Sequence, residues 1–174
     1  MGDRSAQTVR VLAAWSIALL ATFATPAPAR ADVSPCPPRG DSVVVVTRAR
    51  ELWLCADGAP AAQFAVSLGR SGVGKRRRGD GRTPLGTYPL GAPRPSARYG
   101  TFIPIAYPTP EQSARGFTGA AVGIHGPPRG MDAAALYPVT EVDWTLGCIA
   151  TGSDEEVGAI AEFVRARRPR VVIR

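Results

Sequence analysis

The chain has 174 residues, of which 45% are hydrophobic and 20% are charged, and its formal net charge is +7. This length and composition indicate one globular domain and exclude a second sizeable core. The 19 glycines and 17 prolines favour short strands joined by turns over long helices, and the chain has neither internal repeats nor heptads.

The N-terminal segment, residues 1–31, has the pattern of a signal peptide. Arg4 and Arg10 form a basic region, the stretch Val11–Ala24 is apolar, and Ala29-Arg30-Ala31 fits a signal peptidase site. The alternative is an uncleaved membrane anchor, but a bilayer span needs roughly 20 apolar residues and this stretch is shorter. We therefore expect an exported protein of the periplasm or cell-wall space, with no stable membrane insertion after cleavage.

The mature chain begins with a proline-rich lead-in at residues 32–41, and we expect the folded domain over residues 42–174. Apolar and β-branched runs separated by turn residues such as Asp57-Gly58 predict an antiparallel meander followed by further strands. The Gly-, Arg- and Lys-rich segment Gly69–Gly86 is expected to be a long loop. The predicted strands are Ser42–Thr47, Glu51–Cys55, Gln63–Leu68, Thr87–Leu90, Phe102–Ala106, Val122–His125 and Val171–Ile173.

A single amphipathic helix is predicted near the C-terminus. Ser153 can cap its first turn, and Glu156 three residues later can complete a capping box. Pro169 ends it. The residues spaced for one buried face are Val157, Ile160, Ala161 and Val164. The sequence thus predicts a mainly β domain with one C-terminal helix.

The three cysteines have different surroundings. Cys36 and Cys55 flank the first strand pair, whereas Cys148 lies far along the chain in a glycine-flanked turn. Because an exported protein meets an oxidising compartment, we expect a Cys36–Cys55 disulfide and a free thiol at Cys148. The alternative is that Cys148 is bridged, which would exclude it from catalysis.

His125 is the sole histidine of the chain, and it stands at a strand end before Gly126 and two prolines. A lone histidine is most often structural, but a strand end flanked by glycine can project a side chain into a cleft. An imidazole at that point can take a proton from a thiol, and the backbone carbonyl of Gly126 is a candidate to orient the ring.

Cys148 follows Gly147 directly, and free cysteine is commonly just a small buried residue. Here the glycine lets a substrate approach the backbone, so we expect the N–H groups of Gly147 and Cys148 to point outward as an oxyanion hole. An unperturbed thiol has a pKa of about 8.5. A nearby imidazole would activate it by accepting its proton or by forming a thiolate–imidazolium pair.

Metal and cofactor chemistry are not expected, since one histidine and no CxxC pair do not fit common zinc sites. The segment Gly69–Lys75 matches a phosphate-binding loop, but Arg76 stands where Ser or Thr would bind magnesium, and the glycines and Pro84 that follow forbid the required helix. We predict no metal, no cofactor and no nucleic-acid partner. The run Lys75–Arg78 is expected to be a solvated loop face, with contact to an anionic polymer as the alternative.

Three motifs resemble those of one known family. Gly79–Tyr88 resembles the GDGRTPxGxY segment of L,D-transpeptidase (YkuD-type) catalytic domains, and Phe102–Pro108 is similar to the segment ending in Tyr-Pro that follows it. Ile124–Gly126 and, after a spacer, Thr145–Ile149 resemble the family's IHG…[ST]xGC[IV] signature. The resemblance spans residues 42–173 and looks like a DWTxGCIA-type branch.

This resemblance implies a β-sandwich-like fold of mixed strands and a cysteine acyltransferase. Family members attack a peptide carbonyl of a peptidoglycan stem, form a thioester and pass the acyl group to an amine. In this sequence Cys148 takes the nucleophile's place and His125 the base's, with Gly126 as orienter and Gly147 beside the reacting carbonyl. The alternatives are a hydrolase that passes the same acyl group to water and a non-catalytic wall-binding module.

The sequence departs from the family pattern at two positions. Leu146 replaces a histidine that often precedes the Gly-Cys pair, and Ala150 replaces an arginine that often follows it. Arg82 and Arg129 are candidate substitute anchors for a substrate carboxylate. Two further residues within the motifs are expected to contact substrate, Tyr107 and Thr145. We expect a monomer that acts on peptidoglycan stem peptides.

Overall fold

The computed structural model describes residues 34–130 and 140–174. The predicted signal peptide and the first two residues of the lead-in lie outside this part of the chain. The strands are β1 (Ser42–Val46), β2 (Glu51–Ala56), β3 (Ala59–Ser67), β4 (Gly86–Pro89), β5 (Arg94–Ser96), β6 (Gly100–Pro104), β7 (Gly123–His125), β8 (Ile149–Thr151) and β9 (Arg170–Ile173). The helices are α1 (Pro110–Ala114) and α2 (Asp154–Arg167).

The described strands form a curled mixed sheet in the order β4-β9-β1-β2-β3-β8-β7-β6-β5. Strands β1 to β3 are the predicted antiparallel meander. Two neighbouring pairs are parallel, β1 with β9 and β7 with β8. The predicted mainly β fold of mixed strands with a C-terminal helix is therefore confirmed. No helix within the described ranges is long and apolar enough to cross a bilayer.

Helix α2 packs its apolar stripe against the sheet and contacts β6 and β8. The four residues at helical spacing, Val157, Ile160, Ala161 and Val164, are all buried. Burial of an isoleucine or valine side chain contributes about 1.5–3 kcal/mol, so this stripe fixes the helix across the strands that carry the site. Ser153 accepts the N–H of Glu156 as predicted, but the Glu156 carboxylate accepts the N–H of Gly152 at 2.7 Å, so the expected capping box is only half formed.

Three short elements were not predicted. Strand β8 follows Cys148 directly, and β5 contains Pro95, which weakens any strand signal. Helix α1 begins after Thr109, whose hydroxyl accepts the N–H of Gln112 while the Gln112 side chain accepts the N–H of Thr109. That reciprocal pair is a capping box, and its residue types could have been recognised in the sequence.

Cys36 and Cys55 form a disulfide, with their Cα atoms 5.5 Å apart, and it ties the lead-in to β2. Cys148 is a free thiol. The alternative in which Cys148 is bridged is therefore wrong.

Candidate active site

Cys148 and His125 are brought together by the parallel pairing of β7 and β8. His125 lies opposite Ala150 in this register, and Ile124 lies opposite Ile149. Cys148 immediately precedes β8, and since side chains alternate along a strand, the Cys148 and His125 side chains emerge on one face. Both residues line a cleft of about 340 Å³.

The His125 ring is fully buried, and its hydrogen bonding fixes the tautomer. Nδ1 lies 2.7 Å from the carbonyl oxygen of Gly126. Because a carbonyl only accepts, Nδ1 carries the proton and Nε2 carries a lone pair. Nε2 has no hydrogen-bond partner among the described residues. The ring stacks on Tyr99 with centroids 3.7 Å apart, so the lone pair is held in a fixed direction.

Burial lowers the pKa of His125 to about 4; the bond to Gly126 opposes this shift, and the charge of Arg98 adds to it. Burial raises the pKa of the Cys148 thiol, while a hydrogen bond with the Gly123 backbone and the charges of Lys75 and Arg98 oppose that shift. At neutral pH both partners are therefore uncharged. Of the two modes of activation considered above, this arrangement favours proton transfer during attack over a resting thiolate–imidazolium pair.

The turn before Cys148 is held by the hydroxyl of buried Thr145. Its Oγ1 donates to the carbonyl of Cys148 at 2.7 Å and accepts the N–H of Gly147 at 3.1 Å. The prediction that the Gly147 N–H points outward is therefore wrong, because that group is already bonded. The Cys148 N–H has no partner within the described ranges, so one amide remains for an incoming oxygen.

Gly147 and Gly126 are both positions where a side chain would not fit. Gly147 has φ of +123°, and a Cβ there would lie 2.5 Å from the carbonyl oxygen of Arg82. A Cβ on Gly126 would lie 2.9 Å from Oδ1 of Asp154, at the start of α2. The turn that carries the cysteine therefore packs directly on the Arg82 backbone, and the residue that orients the imidazole packs on the helix.

The run Lys75–Arg78 is not uniformly solvated as predicted. Arg76, Arg77 and Arg78 are exposed, but Lys75 is buried. Its Nζ lies 2.7 Å from Oδ1 of Asp80 and 3.1 Å from the carbonyl oxygen of Arg77. The expectation of a solvated loop face is wrong at its first residue, since the ammonium has an ion-pair partner inside the fold.

Asp80 organises this loop around its carboxylate. Oδ2 accepts the N–H groups of Arg76 and Arg77, and Oδ1 accepts the Lys75 ammonium and the N–H of Arg82. Burial opposes ionisation of Asp80, but these donors together hold the pKa of its carboxyl well below the ordinary value. These contacts make the loop rigid and hold the Lys75 ammonium in a fixed position.

Lys75 and Cys148 both line a second cleft, of about 460 Å³. Ala121, Leu146 and Cys148 line both clefts. Leu146, where the family often has histidine, is 64% exposed. The thiol is therefore reachable from two sides, with the imidazole on one side and the buried ammonium on the other.

Three predicted substrate contacts are not among the lining residues of these two clefts. Arg82 donates from Nη1 to the carbonyl of Val73 at 3.0 Å, and Arg129 pairs with Asp154 at 3.1 Å. Tyr107 is buried, and its hydroxyl donates to the carbonyl of Lys75 at 3.0 Å. Thr145 does line the first cleft, but its hydroxyl is engaged within the turn.

Two arginines that the sequence did not single out line the first cleft, Arg94 and Arg98. The Arg94 guanidinium lies over the Phe102 ring at 5.2 Å, and that of Arg98 lies over the Tyr99 ring at 5.3 Å. Stacking on an aromatic face holds a guanidinium while leaving its edge free to bind a carboxylate. These two residues are better placed than Arg82 and Arg129 to anchor a substrate carboxylate.

A comparison with protein families identifies the class of catalytic domain to which this fold and these motifs belong. The L,D-transpeptidase catalytic domain (YkuD) matches residues 40–173. The chain therefore belongs to the L,D-transpeptidase catalytic domain family, as predicted. Its assignment to a DWTxGCIA-type branch stays a prediction, and no curated protein sequence matches the chain significantly.

Solved structures with the same fold come from several bacteria. The helical cell shape determining protein Pgp2 from Campylobacter jejuni is 25% identical with a TM-score of 0.64, over 77% of this chain and 47% of that one. Bd1075 from Bdellovibrio bacteriovorus is 16% identical with a TM-score of 0.57, over 78% and 48%. An L,D-transpeptidase from Mycobacterium smegmatis is 12% identical with a TM-score of 0.54, over 77% and 58%. The aligned part of this chain spans about half the length of the first two.

Proposed function

We propose that this protein is an exported cysteine acyltransferase that carries out L,D-transpeptidation on peptidoglycan stem peptides. One observation carries the proposal: the single free thiol of the described residues and an imidazole with a free Nε2 lone pair line the same cleft. A nucleophile and a base in one cleft are what acyl transfer through a covalent intermediate requires. Membership of the L,D-transpeptidase family supports this class of reaction.

In the first half-reaction, the stem peptide binds with its scissile carbonyl against Cys148. His125 Nε2 takes the thiol proton as the sulfur attacks the carbonyl carbon, and the carbonyl π electrons move to oxygen beside the Cys148 N–H. Collapse of this tetrahedral intermediate breaks the C–N bond, and the leaving amine takes the proton from His125 Nε2. The products are a thioester on Cys148 and a free amine.

In the second half-reaction, an amine of another stem attacks the thioester. His125 Nε2 receives the amine proton and returns a proton to the departing sulfur, which restores the thiol. The two clefts that meet at Cys148 support a reaction with two substrates, one on each side of the thioester. A hydrolase would use the same residues with water as acceptor, so the products distinguish the two reactions.

The proposed place of action is the periplasm or cell-wall space. The signal-peptide pattern of residues 1–31 supports export, and the Cys36–Cys55 disulfide fits an oxidising compartment. The resemblance to Pgp2, which is described as determining helical cell shape, supports a role in cell-wall organisation. A monomer without stable membrane insertion remains our expectation.

The test is incubation of the purified protein with defined muropeptides, followed by mass spectrometry of the products and of the protein. We expect crosslinked dimers and a transient acyl adduct on Cys148, both lost in Cys148→Ala. Trimmed monomers without dimers would show that the protein is a hydrolase and not a transferase. Binding to sacculi that survives Cys148→Ala, with no adduct on the wild-type protein, would identify a non-catalytic wall-binding module.

A further inference from the structure

The acyl-transfer step requires hydrogen-bond donors at the oxygen of the reacting carbonyl. Its oxygen becomes an oxyanion, and enzymes stabilise such charge with preorganised donors aimed at it. Of the two amides expected here, the Gly147 N–H is bonded to Thr145, which leaves the Cys148 N–H. A second donor is therefore needed from elsewhere in the site.

Lys75 has an unused donor close to the turn that carries Cys148. An ammonium has three N–H bonds, and Lys75 uses two of them, to Asp80 and to the carbonyl of Arg77. Its remaining N–H has no partner within residues 34–130 and 140–174. The Lys75 side chain is 4% exposed, and it lines the cleft that also contains Cys148. Nζ lies 3.7 Å from the point that a Cβ on Gly147 would occupy, beside the peptide that carries the Cys148 N–H.

The ammonium is also held rigidly. Asp80 is fixed by the backbone N–H groups of Arg76 and Arg77, and the Lys75 carbonyl accepts the hydroxyl of Tyr107 at 3.0 Å. A buried ion pair adds little to stability once the loss of hydration is counted, so stability alone gives a weak reason for placing a charge here. A fixed cation in a water-poor site is, by contrast, effective at stabilising developing negative charge.

We infer that the Lys75 ammonium donates the second hydrogen bond to the oxyanion formed when Cys148 attacks, in place of the Gly147 amide. This inference rests on the proposed acyl transfer. Lys75 is then a catalytic residue, and Asp80 and Tyr107 position it. The same charge favours the Cys148 thiolate, so a test must separate stabilisation of the sulfur from stabilisation of the oxygen.

Two reagents make that separation on the same protein. A carbapenem acylates the thiol through an oxyanion, whereas iodoacetamide alkylates it by direct displacement and forms none. In Lys75→Met we expect the acylation rate constant to fall about 100-fold or more, the range for loss of one oxyanion donor, and the alkylation rate constant to fall less than about tenfold. Arg77→Met removes an exposed neighbouring charge and should leave both rates within about twofold.

Each outcome bears on the inference. An equal fall in both rate constants, or unchanged acylation, would overturn it, because Lys75 would then act on the thiol or not at all. If Lys75→Met does not fold by circular dichroism, Lys75→Gln, which keeps N–H donors for Asp80 and Arg77, replaces it with the same expectation. Wild-type protein that is alkylated but never acylated would instead overturn the proposed function, and this inference with it.

Discussion

The hydroxyl of Thr145 donates to the carbonyl of Cys148 at 2.7 Å while it accepts the N–H of Gly147 at 3.1 Å. One buried side chain therefore closes the turn that carries the thiol. The backbone N–H of Thr145 also donates to the carbonyl of Leu68, the residue that follows β3. This explains why a small hydroxyl residue precedes the Leu-Gly-Cys sequence: the position of the sulfur relative to β7 depends on it.

Thr145→Val tests this role, because valine keeps the shape and removes both hydrogen bonds. It leaves the Gly147 N–H without its acceptor, which costs about 1–3 kcal/mol of unfolding free energy. We also expect slower acylation, since the turn can shift. Urea unfolding checks the first effect. Thr87→Val on the exposed side of β4 is the control and should stay within about 0.5 kcal/mol of wild type; an equal, small change in both variants would contradict the role of Thr145.

The sequence predicted those parts of the fold whose signals are local. The meander β1 to β3 is built from β-branched runs and a tight turn, and α2 has a cap and a regular apolar stripe, so both were recognisable. Strand β8 is three residues long and is a strand only because β3 and β7 lie on either side of it. No window of three residues carries that information.

The residues of the candidate site also divide into those with a local signal in the sequence and those without one. Cys148 and His125 were predicted because their residue types and glycine neighbours indicate chemistry directly. Lys75 was missed because its burial depends on Asp80 turning back to meet it, and in the sequence it looks like the three exposed arginines that follow. Arg98 was missed because its importance lies in the ring of Tyr99 beneath it and in the cleft beside it. Contacts made by folding have no signature in the sequence.

The buried imidazole predicts a pH dependence of stability. Burial lowers the pKa of His125 to about 4, below its ordinary value of about 6.5. Between these two values the unfolded chain binds a proton that the folded chain does not, so the free energy of unfolding falls as the pH falls through that window. The loss is on the order of 3 kcal/mol when complete.

His125→Asn isolates this effect, because its amide can still donate to the Gly126 carbonyl but does not titrate. The difference in unfolding free energy between wild type and variant should shrink as the pH is lowered from 7 to 4, measured by urea unfolding at each pH. Carboxylates titrate in both proteins and cancel in the difference. A difference that stays constant with pH would mean that His125 titrates as if exposed.

The uncharged resting state of Cys148 predicts how the thiol reacts with iodoacetamide. Because burial raises the pKa of this thiol, the alkylation rate should rise about tenfold per pH unit from pH 6 to 8, following the small thiolate fraction. A resting thiolate–imidazolium pair would instead give a plateau below pH 8. In His125→Asn the alkylation rate should still rise with pH, whereas the acylation rate should fall more than about 100-fold. This result would show that His125 acts as the base during attack and does not set the charge of the resting sulfur.

The stacked arginines of the first cleft predict which substrates bind well. Arg94 and Arg98 are held by cation–π contacts. Ala150 stands in place of the family's arginine, and among the described residues these two are the cations that line this cleft. Arg98→Met should therefore raise KM for a stem peptide with a free carboxylate about tenfold, the effect of one charge-assisted hydrogen bond of about 1.4 kcal/mol. The change in kcat should be smaller, and it should be the same for free and amidated stems, because it comes from the influence of the Arg98 charge on His125 and Cys148. For an amidated stem KM should change little, since that stem makes no such bond.

Arg115→Met is the matched control, because that guanidinium also lies over an aromatic ring, Phe117 at 5.3 Å, but outside both clefts. If Arg98→Met weakens the binding of amidated and free stems equally, Arg98 only packs on Tyr99 and the carboxylate is bound elsewhere.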